Sequence, residues 1–169
     1  MSSDTFTTAL FLITAVIAAG VLISAIFPVV YQMSGTFTSA SHQADQRLRT
    51  DFKIVLAVAN QSQYARVWIK NTGSEQVPVA DIERSDVICG STGDFGRMTL
   101  VPSGSSTLPN GYWIYTLSES KANSYWDPGE TLEIDVKTNT LNTDGSPNYF
   151  QFTLPDGIWR SNQFTSNAP

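Results

Sequence analysis

"TTALFLITAVIAAGVLISAIFPVVYQ", residues 7–32, holds no charged side chain, and "MSSDTF" before it carries neither Lys nor Arg. From Ala9 to Val30 there are 22 residues, broken only by Thr14, Gly20, Ser24 and Pro28. As a helix rising 1.5 Å per residue this run measures roughly 33 Å, against a hydrocarbon core of about 30 Å. Three readings compete: a secretory signal, a membrane anchor, and a rod that packs against copies of itself. A signal needs a basic n-region, a shorter apolar stretch and a small-residue cleavage site, and Asp4 is the only charge before His42. The residues predict that the segment is kept.

Beyond the run, Met33, Phe37, Ala40, Ala44, Leu48 and Phe52 follow at spacings of 4, 3, 4, 4 and 4, one stripe of a helix. A helix from Asp4 to Thr50, with Ser3 or Asp4 as its N-cap, would measure roughly 70 Å, far more than a bilayer needs. Pro28 removes a backbone donor and crowds the preceding turn, so a bend is expected near Ser24 to Pro28, with Gly35 a second soft point. Ala15, Ala18, Ala19 and Gly20 allow helix backbones to approach closely, and Thr14 and Ser24 can bond across a helix pair. A mere tether has no use for the stripe at Met33, Phe37 and Leu48. The candidate packing residues are therefore Ala15, Ala18, Ala19, Gly20, Met33, Phe37 and Leu48.

Past Thr50 the pattern changes to short β-branched and aromatic runs: "FKIVLAVAN", "YARVWIKNTG", "VADIERSDVIC", "GRMTLVP", "GYWIYTL", "ETLEIDVKT" and "NYFQFTLPDG". Seven such runs, separated by Gly, Pro, Asn and Asp, read as an all-β sandwich of immunoglobulin-like kind. In "TLEIDVKT", Leu132, Ile134 and Val136 are expected to face the core and Glu133, Asp135 and Lys137 the water. The chain is thus α+β, with residues 1–50 forming the hydrophobic helix and 51–169 one β-domain, joined near Thr50 to Lys53 without a Gly/Ser linker.

Residues 51–169 hold 8 Lys and Arg against 13 Asp and Glu, a balance that disfavours nucleic acid and anionic lipid as partners. The single cysteine, Cys89, excludes an intrachain disulfide and a cysteine zinc site, and reads as a small buried hydrophobe. The lone His42 has no triad or metal companion, and "CGSTGDFG" lacks the Lys-Ser/Thr of a phosphate loop and reads as a long turn. Asp81, Glu83 and Asp86 could contribute to a calcium site, but no EF-hand spacing surrounds them, and solvated strand ends are the plainer reading. Asn60 in "NQS" is the one glycosylation sequon. No cofactor is expected and no nucleophile–base pair can be assembled, so an enzymatic function is not expected.

"SSDTFTTALFLITAVIAAGVLISAIFPVVYQM" followed by "RLRTDFKIV", "VWIKNTGS" and "WDPGETLEI" resembles the archaellin superfamily, and within it the accessory proteins of FlaG and FlaF type, FlaG the more. Bulk archaellins carry a short basic prepeptide that this sequence lacks; the chain is expected to be either a mature form or a member of the uncleaved accessory branch, and Met1 points to the second. The resemblance implies a structural component of the archaeal motility apparatus, the archaellum, located at the cell surface. It implies that the helix is in the cytoplasmic membrane or bundled in a filament, and that the β-domain lies outside. Arg47, Arg49 and Lys53, taken alone, would place that domain inside. The implied partners are copies of the chain, other archaellum proteins or a surface-layer protein. The alternative is a single-span anchor whose β-domain captures a surface-layer protein or other extracellular ligand.

Overall fold

Alternation governs the β-part of the computed structural model, which describes residues 2–60, 63–102, 107–118 and 123–166. In Thr131–Lys137, Leu132, Ile134 and Val136 are fully buried while every intervening residue is partly exposed, as the period of two requires. Tyr64–Asn71 behaves likewise, with Ala65, Val67, Ile69 and Asn71 inside.

The chain divides into two units, Met1–Asp45 and Gln46–Pro169. Helix α1 covers Ser2–Arg49 and continues through Pro28 and Gly35. The expected N-cap is displaced: Ser3 and Asp4 are already helical, and their carbonyls accept the hydroxyls of Thr7 and Thr8 at 2.9 and 2.7 Å. The hydroxyls of Thr14 and Ser24 likewise donate to Leu10 and Gly20 of their own helix, both at 2.9 Å. A hydroxyl in an apolar helix is satisfied most cheaply by the carbonyl one turn back.

The strands are β1 (Phe52–Ala59), β2 (Tyr64–Asn71), β3 (Val77–Pro78), β4 (Asp86–Ser91), β5 (Asp94–Leu100), β6 (Tyr112–Ser118), β7 (Tyr125–Trp126), β8 (Thr131–Lys137), β9 (Pro147–Thr153) and β10 (Trp159–Thr165), with a short helix α2 at Val79–Glu83. Eight of them form one mixed sheet in the order β1-β2-β8-β6-β5-β4-β9-β10, and β3 pairs with β7 apart from it. All neighbours are antiparallel except β5 and β6, which run parallel through Thr99↔Tyr112 and Leu100↔Trp113 only. A single parallel bridge, Ala59↔Ser166, brings the two ends of the sheet together, so it nearly closes into a barrel. One core fills it. Phe152 of β9 meets Phe52 of β1 and Trp113 of β6 edge-on, with ring centroids 5.5 and 6.5 Å apart.

Three sequence expectations change. "VADIE" is helical, with Pro78 preceding its first turn, and only "DVIC" continues as strand. "CGSTGDFG" is not a long turn but a hairpin, with Ser91 opposite Asp94 and Gly93 at φ 100° in the two-residue loop. Strand β10 had no counterpart among the seven runs, because Phe164 is its only buried residue. Part of the "PSGSSTLPNG" turn lies outside the described residues.

Candidate assembly surface and helix junction

Every described side chain of α1 up to Arg49 is exposed, including Ala15, Ala18, Ala19 and Gly20, and Met33, Phe37 and Leu48 reach 73, 75 and 86 %. On an ideal helix turning about 100° per residue, Ala15, Ala18, Ala19, Met33, Phe37, Ala40, Ala44 and Leu48 fall within a sector of roughly 120°. The small-residue patch inside the apolar run and the stripe beyond it are therefore one face. Gly20 departs from this face by about 100° from Ala19, so it does not share the surface with the three alanines. Nothing lies within 4 Å of where a Cβ on Gly20 or Gly35 would sit.

At the lower end of the helix the sequence builds a tight knot within the β-unit. Thr50 donates from its amide and its hydroxyl to the carbonyl of Gln46, both at 2.9 Å. The amides of Thr72 and Gly73 donate to the Asp51 carbonyl at 2.9 and 2.8 Å, and the Ser74 amide to the Arg49 carbonyl at 2.9 Å. The Arg49 carbonyl is one that a helix end leaves unpaired, and the loop after β2 satisfies it. A Cβ on Gly73 would lie 2.3 Å from the Arg49 oxygen and 2.5 Å from the Asp51 nitrogen, so only glycine permits this approach.

Asn71 holds the loop in turn. Its Oδ1 accepts the Gly73 amide, and its Nδ2 donates to the carbonyls of Glu75 and Trp126, all at 3.0 Å, with the side chain 2 % exposed. The Trp126 indole donates to the Glu130 carbonyl at 3.0 Å, and the Asn71 amide donates to that same oxygen at 3.0 Å. "KNTGS" and "WDPGE", which lie 55 residues apart at Asn71 and Trp126, thus form one structure. Asp51 also pairs with Arg160 of β10, whose guanidinium carbon lies 5.8 Å from the centroid of the Phe52 ring. Neither the knot nor Arg160 stood among the candidate residues; the only sequence signal was the two turn motifs themselves.

The remaining candidates disperse. Asp81 pairs with Arg84, Glu83 accepts the Tyr115 hydroxyl at 3.0 Å and Asp86 pairs with Arg97. Among the described residues no three His, Cys, Asp or Glu side chains converge on a cation position. Cys89 is fully buried, and burial pushes its thiol up to about 12. Asn60 is exposed at the end of β1, where its amide donates to the Tyr64 carbonyl at 2.9 Å and its Oδ1 accepts the Tyr64 amide at 3.2 Å. Gln61 and Ser62 of the sequon lie outside the described residues. His42 sits on the exposed helix.

The sequence pattern of the family described as archaeal-type flagellin matches residues 2–164, nearly the whole chain. The chain belongs to the archaeal-type flagellin family. The resemblance read from the apolar run and the turn motifs is thereby borne out. A relative of this flagellin-family chain, an uncharacterized protein of Archaeoglobus fulgidus, is 27 % identical over 98 % of this chain and 99 % of its own length. The archaellum periplasmic stator protein FlaG of Sulfolobus acidocaldarius shares the fold with a TM-score of 0.53 at 21 % identity, over 68 % of this chain and 99 % of that one. A chain of the FlaF and FlaG stator complex of the same organism gives 0.51 at 21 %, covering 67 and 87 %. The archaeal flagellum of Methanospirillum hungatei gives 0.54 at 12 % identity and covers 90 % of both chains, so this likeness takes in the family helix as well as the β-unit.

Proposed function

We propose that the chain is a structural, non-enzymatic component of the archaellum, at the archaeal cell surface, that self-assembles through α1 into a filament or a membrane-proximal stator complex. The observation that carries this reading is the uncovered face of α1, which runs from Ala15 to Leu48 and is apolar well past the length a bilayer can cover. Copies of the same helix offer the matching surface, since close approach at Ala15 and Ala19 and burial at Phe37 both need a partner of similar length. The β-unit lies outside the cytoplasmic membrane in this reading, and α1 bends near Pro28. We read the two four-stranded parts of the sheet, β1-β2-β8-β6 and β5-β4-β9-β10, as the faces of a flattened barrel of immunoglobulin-like kind.

Electron microscopy of the purified full-length chain tests it. Ordered filaments or closed oligomers are expected; isolated particles, each with one chain in its detergent belt, would overturn self-assembly. The fold shared with the FlaG and FlaF–FlaG stator structures supports the stator form, in which other archaellum proteins are partners. Glycan on Asn60 is a further expectation, read by mass spectrometry of the native protein.

A further inference from the structure

The two outer faces of the β-unit differ in chemistry. On the face made by β2, β8 and β6, Arg66 pairs with Asp135 and Glu133, the Trp68 indole donates to Glu133 at 2.8 Å, and Lys137 lies 4.9 Å from the Tyr64 ring centroid. The charges of Arg66, Glu133 and Asp135 are interleaved and paired, as on a solvated surface, while Lys70 stands opposite Lys53 of β1. Among the described residues the face made by β5, β4, β9 and β10 carries one ion pair, Arg97 of β5 with Asp86 of β4, the latter in the row of Thr153 and Trp159. Register puts Gln163, Tyr149, Gly90 and Phe95 in one row across it, and Ser161, Gln151, Ile88 and Arg97 in the next. Trp159 stands in the row after that, beside Thr153.

Phe95 and Tyr149 flank Gly90 from strands roughly 10 Å apart, yet their ring centroids are 4.8 Å apart, so both rings lean in over the glycine. A Cβ on Gly90 would lie 2.6 Å from the Phe95 Cα, which keeps the position bare. Between this aromatic end and Trp159 the Tyr149 hydroxyl donates to Gln151 Oε1 at 2.6 Å, and Gln151 Nε2 donates to Thr153 Oγ1 at 3.0 Å. Phe95 is 49 % and Trp159 52 % exposed. Four residues of β10 separate the row of Trp159 from that of Gln163 and Tyr149, or roughly 14 Å along the strand.

We propose that this face binds a neutral, hydroxyl-rich glycan chain. A pyranose ring offers an apolar C–H face that stacks on an aromatic ring and a rim of hydroxyls that both donate and accept. The surface supplies rings at its two ends and amides and hydroxyls, which also do both, between them. The absence of unpaired charge from the middle of this face suits a neutral ligand. A protein partner fits less well, because protein interfaces gather their aromatic anchors at the centre of the patch and not at opposite ends. A second copy would also bring the same acidic balance against it. The proposal does not depend on how α1 assembles.

The test uses the full chain in detergent micelles, titrated with a panel of neutral hexasaccharides (β-1,4-glucose, α-1,4-glucose and α-1,6-mannose) and followed by calorimetry and tryptophan fluorescence. At least one should bind saturably, and Trp159→Ala and Phe95→Ala should each weaken it about fivefold, since a lost aromatic stack is worth about 1 kcal/mol. Ile114→Ala on the opposite face should leave binding unchanged, with thermal unfolding checking that all variants fold. No saturable binding by any hexasaccharide, or binding indifferent to both aromatic variants, overturns the proposal. A shift in oligomer size on Trp159→Ala without saccharide binding overturns it too, in favour of a contact between copies.

Discussion

The backbone amide of Ser74 donates to the carbonyl of Arg49 at 2.9 Å, so the last turn of a helix that begins at Ser2 is closed by a loop from the second strand of the β-unit. Glycine at 73 makes that closure possible. Gly73→Ala should destabilise the β-unit by about 2–3 kcal/mol, the upper range for forced overpacking, because the new methyl meets backbone and not a side chain that can turn away. Gly20→Ala, with open space around it, should leave the same unfolding transition unmoved. Thermal unfolding of the full chain followed at a β-sheet wavelength measures both.

Asn71→Ala removes the side-chain donor to two backbone carbonyls, those of Glu75 and Trp126, while the Gly73 amide keeps the Asp51 carbonyl as its acceptor. Each buried unsatisfied group costs about 1–3 kcal/mol, and partial relaxation should leave a net loss near 3 kcal/mol. Thr72→Ala beside it loses only an exposed 3.3 Å contact to Asp51 and should change stability by less than about 0.5 kcal/mol. Equal effects of the two changes in denaturant titration would dismiss the knot as a structural element.

How legible this was depends on where each hydrogen bond goes. Strand β8 declares itself because one of its faces is wet and the other dry at every residue. Strand β10 hides: "WRSNQFT" buries only Phe164, since its neighbour on one side is β9 and its far edge is nearly free. "VADIE" carries β-branched residues but forms a helix because Pro78 opens a turn there, a local effect that apolar patterning does not report. The knot joins the Thr72 amide to the Asp51 carbonyl and the Asn71 side chain to the Trp126 carbonyl 55 residues away, and such pairings leave no mark in composition. Strand order, and with it the near-barrel in place of two separate sheets, rests on such distant pairings too. The extent of the helix, by contrast, was readable from one apolar run and the stripe that follows it, although the position of its first turn was not.

Assembly should depend on which face of α1 is altered. Ala19→Leu adds bulk on the face shared by Phe37 and Leu48, while Gly20→Leu adds comparable bulk off that face, and both preserve membrane affinity. The first should weaken oligomers more than the second. Phe37→Ser should cost roughly 2–3 kcal/mol per copy where the ring is covered by a neighbour, and almost nothing where it faces water. Oligomer distributions at equal membrane insertion decide; identical distributions for all three variants would leave the single-span anchor as the better reading.

Cys89 makes stability sensitive to alkali. Burial raises the folded thiol from 9.0 to about 12, so the unfolded chain releases its proton first as the pH climbs. The contribution of the neutral thiol is whole below about pH 9 and is lost as the pH rises towards about 12. Cys89→Ala should therefore show a shallower fall in stability across that window than the parent chain. Tyr115, pushed up to about 12 by burial and then by its hydrogen bond to Glu83, acts in both proteins and cancels from the difference. Alkylation of Cys89 should proceed only at the rate at which the β-unit opens.

The sheet's two thin joins turn the β-unit into a pair of shells held by long seams within and short ones between. Across one join the Thr99 amide reaches the Gly111 carbonyl and the Val101 amide reaches that of Trp113, both at 2.9 Å; across the other there is the bridge from Ala59 to Ser166. Breathing motions should follow these lines, parting the shells like a clam while each keeps its own ladder. Amide exchange should accordingly be faster at Thr99 and Val101 than at Val67 and Ile134, in the middle of one shell.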